Sequence, residues 1–141
     1  MRQDAVERAF VVGGDHVGER VANRLAAAGE SVTLVTRDPD EQGSSRDTTG
    51  HSPWAQSVEL VDSIDGHSLE SAGLGRASTV LALDGNDATN LLVAQLARSR
   101  FDVDRVLVRV NDPGREPAFE GVDVETFDTT GVLADAVIDQ W

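Results

Sequence analysis

The sequence predicts a doubly wound α/β fold, a parallel β-sheet with helices on both faces. Three observations carry that prediction. Short apolar runs alternate with stretches of helical spacing from one end of the chain to the other. The first run closes on a glycine-rich turn that opens a helix. The 141 residues, 40% of them hydrophobic, suit one domain with a proper core. Strands separated by helices pair in parallel, and the handedness of the crossovers leaves the doubly wound sheet as the simplest topology.

The first strand is Ala9-Phe10-Val11-Val12, ended by Gly13-Gly14. Val17, Val21, Leu25 and Ala28 then recur at helical spacing, and Gly29 is a natural stop. Val32-Thr33-Leu34-Val35 is the second strand, ending before Arg37-Asp38-Pro39. Residues 40–56 are polar and read as a long flexible loop. A weaker strand, Val58 to Val61, precedes a short helix around Ser68 to Ala72. Thr79 to Leu83 is expected as a fully buried strand, and Asp87 to Arg98 as a helix with Leu91, Leu92 and Leu96 inward. Arg105 to Val110 is a strand, followed by a short helix containing Phe119, a short strand Val122-Asp123-Val124, and a closing amphipathic helix over 129–141.

Composition narrows the function. Acidic residues number 25 against 12 basic ones, a formal charge of -13, and every basic residue is arginine. Such a field repels phosphate backbones, so nucleic acid is not expected as a partner. Acid spread along the whole chain suits a high-salt cytoplasm, where screening removes most self-repulsion. The expected setting is a halophile. No apolar stretch approaches the roughly 20 residues that span a bilayer, and no signal peptide is visible, so the expected location is cytoplasmic without direct membrane insertion. The chain has no cysteine, and His16, His51 and His67 lack metal-ligand spacing, so no metal site is expected.

The chemistry-bearing stretch is Gly13-Gly14-Asp15-His16-Val17-Gly18. It lies between a strand and a helix, the context in which a G-x-G-x-x-G loop holds a pyrophosphate. Gly13 takes the place of the tight-turn glycine and Gly18 that of the helix-packing glycine. Asp15 stands where the second glycine lets a pyrophosphate approach. A carboxylate there repels phosphate, and it can also cap the helix by accepting from the N–H of Val17 or Gly18. Alternatively Gly14 allows a shifted approach, or a cation screens the pair. His16 either touches a phosphate or is a solvated loop histidine. At the end of strand two, Thr36-Arg37 replaces the acidic residue of NAD sites, which resembles a site for a 2′-phosphate, so NADP(H) or a phosphorylated adenosine fits better than NAD. Arg37 can equally pair with Asp38 or Asp40.

With these stretches in place, the sequence resembles the RCK N-terminal (TrkA-N, KTN) family from about Phe10 to the closing helix. The likeness lies in Val11 to Gly18, Val32 to Asp40, Ser71-Ala72-Gly73-Leu74, Val80 to Leu92 and Arg109-Val110-Asn111-Asp112-Pro113. The resemblance implies a sensing module of a potassium channel or transporter, binding NAD(H), NADP(H), ATP or ADP and pairing as a homodimer or larger homo-oligomer. By position, Gly13 to Gly18 would face the phosphates and Thr36 with Arg37 the ribose. Asp62-Ser63 would follow strand three, Leu83-Asp84 strand four, and Arg109 would reach the phosphates or the dimer partner. Asp15, Thr36 and Val61 depart from the family's pattern and leave the ligand open. The family's C-terminal ligand-binding subdomain is missing, so the chain is expected to be a stand-alone N-domain or a piece of something longer. The closing helix, with Val132, Leu133, Ala136, Val137 and Trp141 as its apolar face, would cross to a partner or else pack on its own sheet.

Two rivals have distinct requirements. A small NADP-dependent oxidoreductase of the short-chain type needs a tyrosine and a lysine, and the chain contains neither. No G-x-S-x-G elbow is present either, so no catalytic residue is expected. A scaffold that has lost its nucleotide and serves only for dimerisation needs no ligand at all, and Asp15 is its best support.

Overall fold

A computed structural model describes residues 8–37 and 57–141. The polar stretch 40–56 and the proposed Arg37 partners Asp38 and Asp40 lie outside the described residues.

The apolar runs become six strands: β1 (Arg8–Val12), β2 (Ser31–Arg37), β3 (Ser57–Val61), β4 (Thr79–Ala82), β5 (Arg105–Val110) and β6 (Glu125–Asp128). They form one sheet in the order β3-β2-β1-β4-β5-β6, with every pair parallel. The α-helices are α1 (Asp15–Ala27), α2 (Gly66–Ala72), α3 (Asp87–Ser99) and α4 (Thr129–Asp139), and 3-10 turns cover Leu74–Arg76 and Pro113–Phe119. This is the predicted doubly wound architecture, with β1 and β4 as the strands from which the order runs outward in both directions.

Side chains alternate across the sheet, so its two faces carry two cores. Phe10, Val12, Val35, Val80, Ala82, Val106 and Val108 join Leu69, Val93, Ala94 and Ala97 of α2 and α3 in the larger core. Val11, Val32, Leu34 and Leu83 join Ala22 of α1 in the smaller one. Register then sets the site. Val12 pairs with Val35 on one side and with Ala82 on the other. The residues that follow, Gly13, Thr36-Arg37 and Leu83-Asp84, therefore emerge side by side at the carboxyl edge.

Several expectations shift in detail. In α3 the inward stripe is Asn90, Val93, Ala94 and Ala97, and Leu92 faces outward. In α1, Gly18 and Ala22 are buried while Val17 is exposed, because the close approach of a glycine, not the apolar count, sets the phase. Leu83 lies just beyond β4, and Thr79 and Leu81 are only half-buried. The last strand is Glu125–Asp128 rather than Val122 to Val124; those two valines pack against the larger core from the connection before it. Finally, α4 buries none of its residues. The alternative in which its apolar face packs on its own sheet is not realised.

Candidate functional site

The turn after β1 is built on left-handed backbone. Gly13, Gly14 and Asp15 have φ of +76°, +99° and +46°. Only glycine adopts such angles without strain, although aspartate tolerates them better than most side chains. Gly14 also has no room for a side chain: a Cβ there would stand 2.8 Å from the Gly18 nitrogen and 2.9 Å from the Leu83 carbonyl oxygen. At Gly18 a Cβ would run into the Gly13 carbonyl oxygen. The Gly13 N–H donates to the Val35 carbonyl at 2.8 Å, tying the turn to β2.

This turn delivers the N-terminus of α1 to the carboxyl edge of the sheet. The other three α-helices are capped by side chains: Asp65 accepts from Ser68 N, Asn86 from Thr89 N, and Asp128 from Thr130 N and Gly131 N. In α1 the capping residue is Gly14, which has no side chain to offer. Asp15 is the first helical residue, exposed, and its carboxylate makes no hydrogen bond or ion pair among the described residues. The alternative in which Asp15 caps the helix at Val17 or Gly18 is therefore not realised. A helix N-terminus left open in this way carries partial positive charge and donors for an anion.

Beside it lies a cleft of about 270 Å³ lined by Gly13, Asp15, His16, Glu19, Leu34 and Thr36. Glu19 was not among the residues the sequence singled out. Its signal is its spacing, one helical turn after Asp15 on the same face. His16 and Val17 are both exposed on this first turn.

Arg37 extends over the site, and among the described residues its partner is Asp84. Arg37 NH1 lies 3.3 Å from Asp84 Oδ1. Asp84 is buried and held on every side. Its Oδ2 accepts from Asn86 N, its N–H donates to Asn90 Oδ1, and its carbonyl accepts from Asn90 Nδ2 and Asn111 Nδ2. Arg109 stands at the level of Leu83 because β4 and β5 are in register through Ala82 and Val108. Its guanidinium is tied to the chain through two of its donors, from Nε to Asn111 Oδ1 at 2.6 Å and from NH1 to the Leu83 carbonyl at 3.2 Å. Asp62 and Ser63 are exposed beyond β3, apart from the cleft lining, and Ser63 Oγ donates to Asp65. No group of three metal-ligating side chains occurs among the described residues.

A six-stranded parallel sheet with a glycine turn at its diverging strands matches known proteins over most of its length. The TrkA-N domain family matches residues 9–129. The chain belongs to the TrkA-N domain family. Among relatives, the Trk system potassium uptake protein TrkA of Mycobacterium tuberculosis (strain ATCC 25618 / H37Rv) is 36% identical over 117 residues, covering 81% of this chain and 50% of that one. The TrkA homolog of Methanothermobacter thermautotrophicus is 30% identical over 118 residues, covering 82% and 50%. This TrkA-N domain thus spans about half the length of those relatives. Among solved structures, the NAD(P)-binding domain of an exopolyphosphatase-related protein from Archaeoglobus fulgidus superposes with a TM-score of 0.68 at 23% identity, covering 94% of this chain and 95% of that one. The GsuK channel bound to NAD gives 0.67 at 24% identity, covering 93% and 22%, and GsuK bound to ADP gives 0.71 at 23%, covering 93% and 32%. At these identities the likeness is one of fold. No helix among the described residues is long and apolar enough to cross a membrane.

Proposed function

We propose that this TrkA-N domain is a nucleotide-sensing regulator of a potassium uptake or channel system, working on the cytoplasmic side as a homodimer or larger homo-oligomer, and that it is not an enzyme. The observation that carries the reading is the uncapped N-terminus of α1, delivered by a turn with no room for side chains to the edge where the strand order diverges. These residues fit a dinucleotide or adenine nucleotide. The first-turn N–H groups of α1 would receive the phosphates, with Gly13 and Gly14 admitting them to the backbone. Thr36, on the cleft wall, and Arg37 would meet the ribose end, which favours NADP(H) over NAD(H), ATP or ADP. His16 and Val17 lie on the open turn, and Leu83-Asp84 with Arg109 shape its far side. Asp62-Ser63 flank the adenosine end. A sensor needs a ligand that binds one arrangement of the assembly better than another, since only differential affinity moves an equilibrium.

The partner face is α4. Val132, Leu133, Val137 and Ile138 are 51 to 69% exposed and Trp141 wholly so, an apolar surface that this chain does not cover.

The test is thermal stability at high salt with NAD(H), NADP(H), ATP and ADP, on wild type and Asp15→Gly. A ligand at a hundredfold its dissociation constant stabilises by about 2.7 kcal/mol, a readily visible melting shift. Asp15 is solvated, so removing its charge should tighten phosphate binding by roughly 1 kcal/mol, about fivefold. A shift in wild type supports the sensor. A shift in Asp15→Gly alone means that the carboxylate has closed the site and the domain is a scaffold. No shift in either variant ends the nucleotide reading.

A further inference from the structure

Arg37 leaves the end of β2 and Asp84 follows the end of β4, with β1 between those two strands. The ion pair that joins them therefore spans the carboxyl end of β1, directly over Gly13. Asp84 Oδ1, the atom 3.3 Å from the guanidinium, lies only 2.7 Å from the point a Gly13 side chain would occupy. The two partners are unequal. The Asp84 side chain is 11% exposed and accepts from Asn86 N, on a backbone that Asn90 and Asn111 hold, whereas the Arg37 side chain is 48% exposed on a long flexible stem. One end of the bridge is fixed and the other is free to swing.

Resting on the nucleotide reading above, we propose that Asp84 is a competitor built into the site: it holds Arg37 across the glycine turn, and a phosphate of the ligand must take the guanidinium from it. Carboxylate and phosphate present the same paired acceptors to the guanidinium fork. The guanidinium is half-exposed and stands 3.3 Å from its partner, so exchange is open to a phosphate that carries up to two charges, and unfavourable for ligands with no phosphate within reach. Asp84 thereby acts as a positioning residue that sets which phosphorylated adenosines are retained. The phosphate is either the 2′-phosphate of NADP(H) or the 5′-diphosphate common to NAD(H) and ADP.

The experiment is calorimetric titration of NADP+, NAD+ and ADP into wild type, Asp84→Asn, Arg37→Gln and the double variant, each checked for a cooperative melt. Asp84→Asn keeps the acceptor for Asn86 and should tighten the ligand that captures Arg37 by about three- to tenfold, while Arg37→Gln should weaken the same ligand by about tenfold. In the Arg37→Gln background, Asp84→Asn should change nothing, because the competition runs through the guanidinium. Tightening of NADP+ alone identifies the 2′-phosphate; tightening of all three identifies the diphosphate. Equal tightening with and without Arg37 would mean plain charge repulsion and overturns the proposal, as does an unchanged affinity in Asp84→Asn. Should Asp84→Asn fail to fold, Arg37→Gln decides alone, and unaltered affinity for all three nucleotides overturns it. If wild type binds but the coupling is absent, only this inference falls; if no variant binds, the nucleotide reading falls with it.

Discussion

Single residues in the glycine turn have effects that can be graded by what a methyl group would meet. A Cβ on Gly18 collides with the Gly13 carbonyl oxygen, whereas one on Gly85, three residues past β4, meets nothing within 4 Å. Gly18→Ala must push α1 away from β1, an overpacking cost of about 1–3 kcal/mol. Gly85→Ala should be close to neutral. Paired thermal melts check this, and equal melting temperatures would show that the turn is looser than its geometry. The same residues show what the sequence discloses. Gly13 to Gly18 were legible because backbone sterics leave a sequence mark. The pairing of Arg37 with Asp84 was not, since 47 residues separate them and only the register of β2, β1 and β4 brings them together. Arg109 is a further case: its type suggested a phosphate or a dimer partner, and the bonds that two of its donors make to Asn111 and the Leu83 carbonyl could not be read from the sequence.

At the scale of elements, caps decide where helices begin. Asp65 opens α2 by accepting from Ser68 N at 2.8 Å, with Ser63 Oγ on its second oxygen. These hydrogen bonds, the one from the Ser68 backbone first and that from Ser63 next, hold its carboxyl below the usual 3.8. A lowered carboxyl pKa adds stability above the unfolded value, and that stability is lost as pH falls through the folded one. Asp65→Ala should therefore lower the melting temperature at neutral pH, and the gap from wild type should close in acid, below about 3.8. A gap that persists unchanged at that pH would exclude the ionised cap as its cause. Helix phases were harder to read than helix positions. In α3 the buried stripe begins at Asn90, a polar residue fully withdrawn from solvent because it bonds the Asp84 and Arg109 backbones, so counting apolar residues turned the helix toward Leu92. The closing helix was legible in both extent and apolarity. Its exposed face predicts association: Leu133→Asp with Val137→Asp should reduce the molecular mass measured by light scattering to that of one chain, with the fold retained. An unchanged mass, or a wild type already monomeric, would remove α4 from the interface.

Over the whole molecule, the charge of -13 competes with the compactness that the sheet imposes. Folding brings 25 acidic residues onto a small surface with only 12 arginines to offset them, and the described ion pairs are mostly exposed. Such pairs return little each, so the balance is set by long-range repulsion, which salt controls. Between about 0.1 and about 1 M KCl the Debye length falls from ~10 to ~3 Å, shorter than most distances between surface carboxylates. The melting temperature should rise across this range, steeply at first and then levelling as screening saturates. Nucleotide binding should strengthen over the same range, because the same screening lifts the repulsion of a phosphate by the net charge of -13 and by Asp15 and Glu19 beside the α1 N-terminus. Measuring both on one sample tests this: stability and affinity rising together is the signature of charge screening. A melting temperature that stays flat, or that keeps climbing linearly with salt, would place the stability of this domain in its core rather than in its surface field.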